Sequence, residues 1–177
     1  MKIYKTQIKG LLVIKQKNNI DNRGSLRETY NKKLLNKKFV FEYCTTSKKN
    51  ILRGFHFQTK FQQSKYVNVL KGKILDVVID LRKNSQTFGK SFKIVLSQKN
   101  ATSLFIPKGF AHAYFSYDTE NIIYYKLDNF YKPKFEDGII FNDKKLKIKW
   151  PKLKMIISKK DKKLRSLKDF INTYAGL

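Results

Sequence analysis

The sequence has little of what stabilises a small secreted or membrane protein. Its single cysteine, Cys44, excludes an intrachain disulfide and a cysteine-based metal cluster. No apolar run approaches the roughly 18 residues that a spanning helix needs. The first residues also lack the apolar stretch and small-residue cleavage site of a signal peptide. We therefore predict a cytoplasmic protein that does not associate with a membrane.

Acidic residues are scarce as well, because 13 Asp and Glu stand against 39 Lys and Arg and give a formal net charge of +26. Such an excess is typical of proteins that meet an anionic partner, such as nucleic acid, a membrane surface or a phosphorylated small molecule. The lysines are spread along the whole chain and are densest between residues 144 and 168. This spread favours a compositional bias with solvated side chains over a dedicated nucleic-acid surface, so no nucleic-acid partner is expected.

The chain is instead rich in residues that form strands, with 41% hydrophobic and 14% aromatic residues in a length of 177. Runs of Val, Ile, Phe and Tyr recur about every ten residues between polar turns, a spacing typical of an antiparallel sandwich or barrel. The predicted strands cover residues 3–8, 11–15, 39–45, 52–58, 65–70, 74–82, 91–96, 103–106, 110–117 and 121–127. Lys71-Gly72 predicts a tight hairpin between two of them.

The C-terminal region has a different pattern, because its apolar residues from Leu164 to Tyr174 recur at helical spacing. Asp161 or Ser158 is the expected helix cap. We therefore predict one domain over residues 1–177, with a β barrel over about 1–157 and a helical segment over about 158–177.

One predicted strand carries an unusual polar face. Alternation along residues 52–58 places Gly54, His56 and Gln58 on one side and Phe55 and Phe57 on the other. A histidine isolated in an apolar strand is usually a buried core residue, but a face of Gly, His and Gln indicates a lined cavity.

The strand over residues 74–82 supports the same interpretation. Asp76 and Asp80 interrupt a β-branched run, and burying two carboxylates without partners is costly. They face either solvent or the basic groups of a pocket. The pocket is favoured because neighbouring strands offer His56 and Lys65.

A second histidine motif, Pro107-x-Gly109-x-x-His112, resembles the second half of the cupin metal motif. The first half of that motif needs His-x-His, but this chain has His56-Phe57-Gln58. With only two histidines, the usual set of three His and one Glu cannot be assembled. The expectation is a cupin-like barrel without a metal.

Together these motifs resemble the dTDP-4-dehydrorhamnose 3,5-epimerase family over about residues 20–165. The matching segments, in the order and spacing of the family, are Asp21-x-Arg23-Gly24 with Glu28, Leu52-Arg53-Gly54-Phe55-His56-Phe57-Gln58, Lys65, Gly72-x-x-x-Asp76-Val77-Val78-Ile79-Asp80-Leu81-Arg82, Ser85-x-Thr87-Phe88-Gly89, Ile106-Pro107-x-Gly109-Phe110-Ala111-His112, Tyr125-Lys126, Tyr131-x-Pro133-x-x-Glu136, Asn142-Asp143, Ile148-x-Trp150-Pro151 and Ser158-x-Lys160-Asp161.

The resemblance implies an all-β, cupin-type jelly roll, a homodimer, no cofactor, and a nucleotide-diphosphate sugar as substrate. The reaction would invert C3, C5 or both in a 4-keto-6-deoxy sugar, for surface polysaccharide biosynthesis. The catalytic positions implied are His56 as base, Tyr125 as proton donor, Asp161 as the acid paired with the base, and Lys65 as a cation for the enolate. Asp76 is a further candidate for orienting polar groups. The implied substrate-binding residues are Arg23, Glu28, Arg53, His112, Tyr131, Glu136 and Lys160, of which Arg23 and Glu28 would reach the site of a partner subunit.

The chain departs from the family pattern where Gln-x-Asn usually precedes the His56 motif, because Phe41 and Tyr43 stand there. We therefore predict the epimerisation reaction but not that the nucleotide carries thymidine. A GDP- or CDP-linked hexose or heptose stays open as the substrate. The alternatives are a 3,4-ketoisomerase on the same scaffold, a basic β-barrel that binds nucleic acid, and a non-catalytic sugar-binding cupin.

Overall fold

The structure is a computed structural model that describes residues 1–177, and it consists mainly of β-strands. The elements in chain order are β1 (Lys2–Lys5), β2 (Leu12–Lys15), β3 (Asn18–Asp21), β4 (Gly24–Arg27), α1 (Lys32–Leu35), β5 (Phe41–Ser47), β6 (Ile51–Gln58), β7 (Lys65–Lys71), β8 (Lys73–Asp80), β9 (Ser91–Ser97), β10 (Thr102–Ile106), β11 (Phe110–Ser116), β12 (Asn121–Leu127), β13 (Glu136–Gly138), β14 (Ile156–Ile157) and α2 (Leu167–Tyr174). Short 3₁₀ turns lie at Pro133–Phe135, Lys144–Leu146 and Asp161–Lys163.

Two six-stranded sheets form the body of the molecule. The first sheet has the order β1-β2-β10-β7-β12-β5, and the second has the order β13-β6-β11-β8-β9 with β14 beside β6. All pairings within them are antiparallel except that of β14 with β6. The inner faces of the two sheets share one apolar core, which includes Val67, Val78, Leu104 and Ile123. This all-β jelly roll confirms the predicted fold class.

The outer face of the second sheet is covered by the C-terminal part of the chain. Phe55, Phe57 and Val77 pack there against Ile139 and Phe170. Because this sheet is buried on both faces, its central strands β8 and β11 are almost entirely buried, and their few polar side chains must find partners inside the protein.

The C-terminal helix is shorter than predicted. The helix α2 begins after Ser166, whose side chain forms a reciprocal capping box with Asp169. Neither Asp161 nor Ser158 caps it, because residues 161–163 form a separate 3₁₀ turn. The apolar spacing was correct, but a stronger N-terminal signal lies further along the chain.

The predicted hairpin at Lys71-Gly72 is wrong. The strand β7 pairs with β10 and β12, whereas β8 pairs with β9 and β11. Gly72, with a φ of +81°, turns the chain from one sheet into the other.

Two features complete the architecture. The strands β3 and β4 form a separate hairpin that the sequence did not predict, because it is largely polar, and its Ile20 and Leu26 are exposed. None of the helices has the length and apolar character needed to cross a bilayer.

Candidate active site

The pairing of β6 with β11 brings the two histidines together. His56 lies directly opposite His112 on the inner face of the second sheet. A bulge follows, so that Arg53 rather than Gly54 is the next residue of β6 to share this face, opposite Tyr114. The strict alternation predicted for Gly54, His56 and Gln58 therefore fails at Gly54.

His56 is held by a carboxylate from the C-terminal region. Its Nε2 lies 2.9 Å from Oδ1 of Asp161, and the other oxygen of Asp161 accepts the Gly54 N–H at 3.0 Å. Burial alone would raise the pKa of Asp161, but the hydrogen bonds from His56 and from Gly54 lower it overall. The ionised carboxylate accepts the Nε2 proton and leaves the lone pair on Nδ1 of the imidazole.

Gly54 cannot be replaced without disturbing this arrangement. It has a φ of +105°, and a Cβ there would lie 2.4 Å from the carbonyl oxygen of His112. The close approach of β6 and β11 thus requires glycine at this position.

His112 forms a second pair, with Asp76 on β8. Its Nε2 lies 2.8 Å from Oδ2 of Asp76, and the two side chains are 5% and 0% exposed. Oδ1 of Asp76 has no hydrogen-bond partner. The expectation that Asp76 meets basic groups inside the barrel is met by this contact and by the nearby charge of Lys65.

Asp80, which the alternation placed on the same face, serves a different part of the protein. It is fully buried and accepts hydrogen bonds from Arg82, Ser85 and Thr87. Burial opposes its ionisation, but these bonds lower its pKa to about 2. Asp80 therefore holds the loop after β8 rather than the site.

The facing sheet contributes Lys65 and Tyr125. The side chain of Lys65 makes no hydrogen bond or ion pair, and burial lowers its pKa to about 8, while the charges of Asp76 and Glu136 act in the opposite direction. The ring of Tyr125 lies edge-on to the His112 ring, with 6.1 Å between centroids. Burial, followed by the neighbouring groups Tyr114, Tyr43 and Asp76, raises the pKa of Tyr125 well above its usual value.

A more exposed set of side chains borders His56. Glu136 lies on β13 opposite Gln58, forms an ion pair with Lys160, and accepts a hydrogen bond from the Tyr131 hydroxyl at 2.9 Å. Burial alone would raise the pKa of Glu136, but the hydrogen bonds from Lys160 and Tyr131 and the electrostatic effect of the neighbouring His56 lower it. Most of the residues predicted for substrate binding thus meet beside the His56 pair.

Near Tyr125, the structure adds Tyr114 and Ser47, which were not predicted as part of the site, to Tyr43, which stands at a nucleotide-pocket position of the family pattern. The Tyr114 hydroxyl lies 2.8 Å from Oγ of Ser47, which in turn accepts from Nε of Arg53. Tyr43 stacks on Tyr125 from the neighbouring strand. Alternation in β11 places Tyr114 on the face of His112 and would have identified it, whereas the role of Ser47 depends on long-range pairing.

Two predicted residues lie apart from this cluster. Arg23, with 86% of its side chain exposed, pairs only with Asp21 in the β3–β4 hairpin. Glu28 accepts a hydrogen bond from Asn31. Nowhere in the chain do three or more His, Cys, Asp or Glu side chains come together as a metal site.

The arrangement offers an imidazole base, a phenol and an amine around one region between the sheets. The two imidazoles are cross-strand neighbours, and Tyr125 faces His112 from the other sheet. The half-exposed His56, the unpaired side chain of Lys65 and the Tyr125 phenol therefore offer a base, a cation and a proton donor on the facing sheets. Such a set suits proton removal next to a carbonyl and stabilisation of the resulting oxyanion.

The chain is similar to proteins of known activity along nearly its whole length. The family whose sequence model matches residues 5–169 is described as dTDP-4-dehydrorhamnose 3,5-epimerase. An enzyme of that name from Methanothermobacter thermautotrophicus is 37% identical over an alignment of 177 positions that covers 95% of each chain.

Solved structures agree with the sequence comparison. The Bacillus anthracis dTDP-4-dehydrorhamnose 3,5-epimerase, crystallised with TDP and pyrophosphate, is 36% identical with a TM-score of 0.90 over 94% of this chain and 99% of its own. A 3,5-epimerase from Legionella pneumophila in complex with dTDP-4-keto-L-rhamnose is 35% identical with a TM-score of 0.90, over 94% and 93% of the two chains.

Proposed function

The chain belongs to the dTDP-4-dehydrorhamnose 3,5-epimerase family, and from this premise we propose that it inverts C3, C5 or both in a nucleotide-linked 4-keto-6-deoxy sugar. It is an isomerase acting on carbohydrate. The observation that carries the proposal is the His56–Asp161 pair beside a buried phenol, Tyr125, whose hydroxyl makes no hydrogen bond to the protein.

The first step is removal of a proton from a carbon next to the ketone. Nδ1 of His56 takes the proton, and the electron pair of the C–H bond moves into an enolate on the C4 oxygen. Asp161 fixes the tautomer of His56 and stabilises the imidazolium that forms.

The enolate needs a positive charge close to its oxygen. Lys65 is suited to this because it is half-buried and has no protein partner that would compete for its ammonium group. An amine with a pKa of about 8 is still largely charged at neutral pH. A fixed cation in a site with little water stabilises such an oxyanion by a few kcal/mol, roughly two orders of magnitude in rate.

The second step returns a proton to the opposite side of the sugar carbon. The Tyr125 hydroxyl gives its proton to the enolate carbon and becomes a phenolate, which solvent reprotonates, while His56 loses its proton to solvent. The raised pKa of Tyr125 keeps the phenol protonated before each turnover. Proton delivery from this side produces inversion, whereas return from His56 restores the starting configuration.

Binding of the nucleotide diphosphate is assigned to the exposed residues beside His56. Arg53 presents a guanidinium with only long contacts to Ser47 and Thr46, so it is free to bind phosphate oxygens. Lys160, Tyr131 and Glu136 border the same region. Arg23 and Glu28 lie on or next to a projecting hairpin, consistent with a homodimer in which each copy completes the site of the other.

The nucleotide is proposed to be dTDP, because similar solved enzymes are crystallised with TDP or a dTDP-sugar. Phe41 and Tyr43 make GDP- and CDP-linked hexoses or heptoses the alternatives to test. A nucleotide-linked 6-deoxy sugar is the kind of donor that glycosyl transfer consumes in polysaccharide synthesis.

The test is solvent exchange. The protein is incubated in D₂O with dTDP-4-keto-6-deoxyglucose, and with GDP- and CDP-linked analogues, while NMR follows deuterium at C3 and C5. We expect incorporation at one or both carbons together with an inverted product. Absence of exchange with every nucleotide would refute epimerisation, and a carbonyl moved to C3 would identify a ketoisomerase.

A further inference from the structure

Tyr43 lies against the proton donor in a way that the proposed function does not use. It stands directly opposite Tyr125 on the edge strand β5. The two rings stack with 4.8 Å between centroids and 23° between planes. This is the closest ring pair in the molecule and the only one that is stacked.

The orientation of Tyr125 depends on such packing. Its ring is 3% exposed, and its hydroxyl has no hydrogen bond that would fix the direction of the O–H. The His112 ring meets it edge-on at an interplanar angle of 67°, and the Tyr43 ring covers a face. The phenol is therefore held by apolar packing in the core, with two rings against it, and by no polar contact.

Tyr43 is itself anchored at the border of the site. It is 36% exposed, and its ring lies 5.7 Å from that of Phe41, which lies 6.2 Å from that of Phe130. Its own hydroxyl makes no hydrogen bond within the protein. Tyr43 thus contacts Tyr125 through its aromatic ring and not through its hydroxyl.

Accordingly, we propose that Tyr43 is a positioning residue that holds the Tyr125 phenol in line with the sugar carbon that it protonates. This inference rests on the proposed function. When the stack is absent, Tyr125 delivers its proton less often, and the enolate more often takes a proton back from His56. The C–H bond then re-forms on the original side, so that exchange with solvent continues while inversion declines.

The experiment measures the ratio of solvent exchange to inversion at C3 and C5 for the full-length protein with its keto-sugar nucleotide. Tyr43→Leu removes the ring, Tyr43→Phe keeps it, and Tyr124→Leu is the matched control on the opposite face of β12. Since a donor misplaced by about 1 Å can cost up to two orders of magnitude, we expect Tyr43→Leu to raise the ratio about tenfold. Tyr43→Phe should restore it, and Tyr124→Leu should leave it at the wild-type value.

A ratio unchanged in Tyr43→Leu would overturn the proposal, as would a failure of Tyr43→Phe to restore it. Tyr43→Thr, which suits an edge strand, repeats the test if the leucine variant does not fold. NMR of ¹³C-labelled tyrosine tests the positioning role of Tyr43 separately from the proposed epimerase function. If the wild-type protein exchanges no substrate, the proposed function fails. The positioning role is then judged by the rate at which the Tyr125 ring flips, which must rise in Tyr43→Leu and not in Tyr43→Phe for it to stand.

Discussion

The molecule contains two imidazole–carboxylate pairs on neighbouring strands, and their surroundings differ. In the His56–Asp161 pair the side chains are 29% and 5% exposed, whereas in the His112–Asp76 pair they are 5% and 0% exposed. Only the first imidazole keeps enough accessible surface to exchange protons with a bound molecule and with solvent. The same chemical pair can therefore serve as a base in one place and as part of the framework in the other.

The carboxylates also differ in how they are satisfied. Asp161 comes from a 3₁₀ turn near the C-terminus and accepts a backbone N–H from Gly54 as well as the contact with His56. Asp76 lies on a central strand, and one of its oxygens has no partner. Loss of His112 would leave Asp76 without a polar contact, while loss of His56 would leave Asp161 with one.

The largest difference is expected in catalysis. His56→Asn should reduce deuterium exchange at C3 and C5 by about three orders of magnitude or more, because it removes the proposed base. The half-exposed position should let the variant fold, as checked by its thermal midpoint. A variant that still exchanges deuterium at near the wild-type rate would assign the base elsewhere.

The second difference is expected in stability. His112→Asn should lower the free energy of unfolding by about 3 kcal/mol at neutral pH, because removing one partner leaves an uncompensated buried charge on Asp76. Urea denaturation measures this loss, and His56→Asn should cost clearly less. The double variant His112→Asn/Asp76→Asn should recover part of the loss. A double variant less stable than the single one would contradict the unpaired charge as its cause.

A smaller catalytic effect is expected at Asp161. Asp161→Asn should lower turnover by about two orders of magnitude, since the amide neither fixes the tautomer of His56 nor stabilises its charged form. The step is followed by the exchange assay under substrate saturation. Asp169→Asn, in the capping box of α2, is the control that should retain turnover. Equal losses in the two variants would point to a general effect on folding.

The sequence indicated much of this arrangement. Short alternating strands predicted the β barrel, and the polar residues His56 and Asp76 on neighbouring strands indicated that charged groups meet inside it. The family motifs supplied Asp161, which lies 105 residues from His56 and could not be joined to it by local periodicity. Local patterns find residues on one strand, whereas contacts between a strand and a distant turn depend on the tertiary fold.

The errors have physical reasons as well. The bulge in β6 shifts Arg53 onto the face of His56, because the register between His112 and Tyr114 changes there. Alternation assumes a regular strand and cannot detect an extra residue. The Lys71-Gly72 turn joins two sheets, since the residues of a turn do not specify which strands pair. Pairing is set by the core that Val67 and Val78 share across the sheets.

The smallest expected effect concerns how Asp76 acts on Lys65. Burial lowers the pKa of Lys65 to about 8, and the negative charge of Asp76 opposes part of that decrease. If protonated Lys65 stabilises the enolate, kcat/KM should fall as pH rises through about 8. Asp76→Asn removes the charge that favours the ammonium form, so the alkaline limb should move to lower pH, by about one unit. Glu42→Gln, on the outer face and paired with Lys126, should leave the limb in place. If the alkaline limb of the pH profile stays in place or moves to higher pH in Asp76→Asn, the His112–Asp76 pair does not affect the reaction through Lys65. The contribution of this pair is then confined to the stability of the fold.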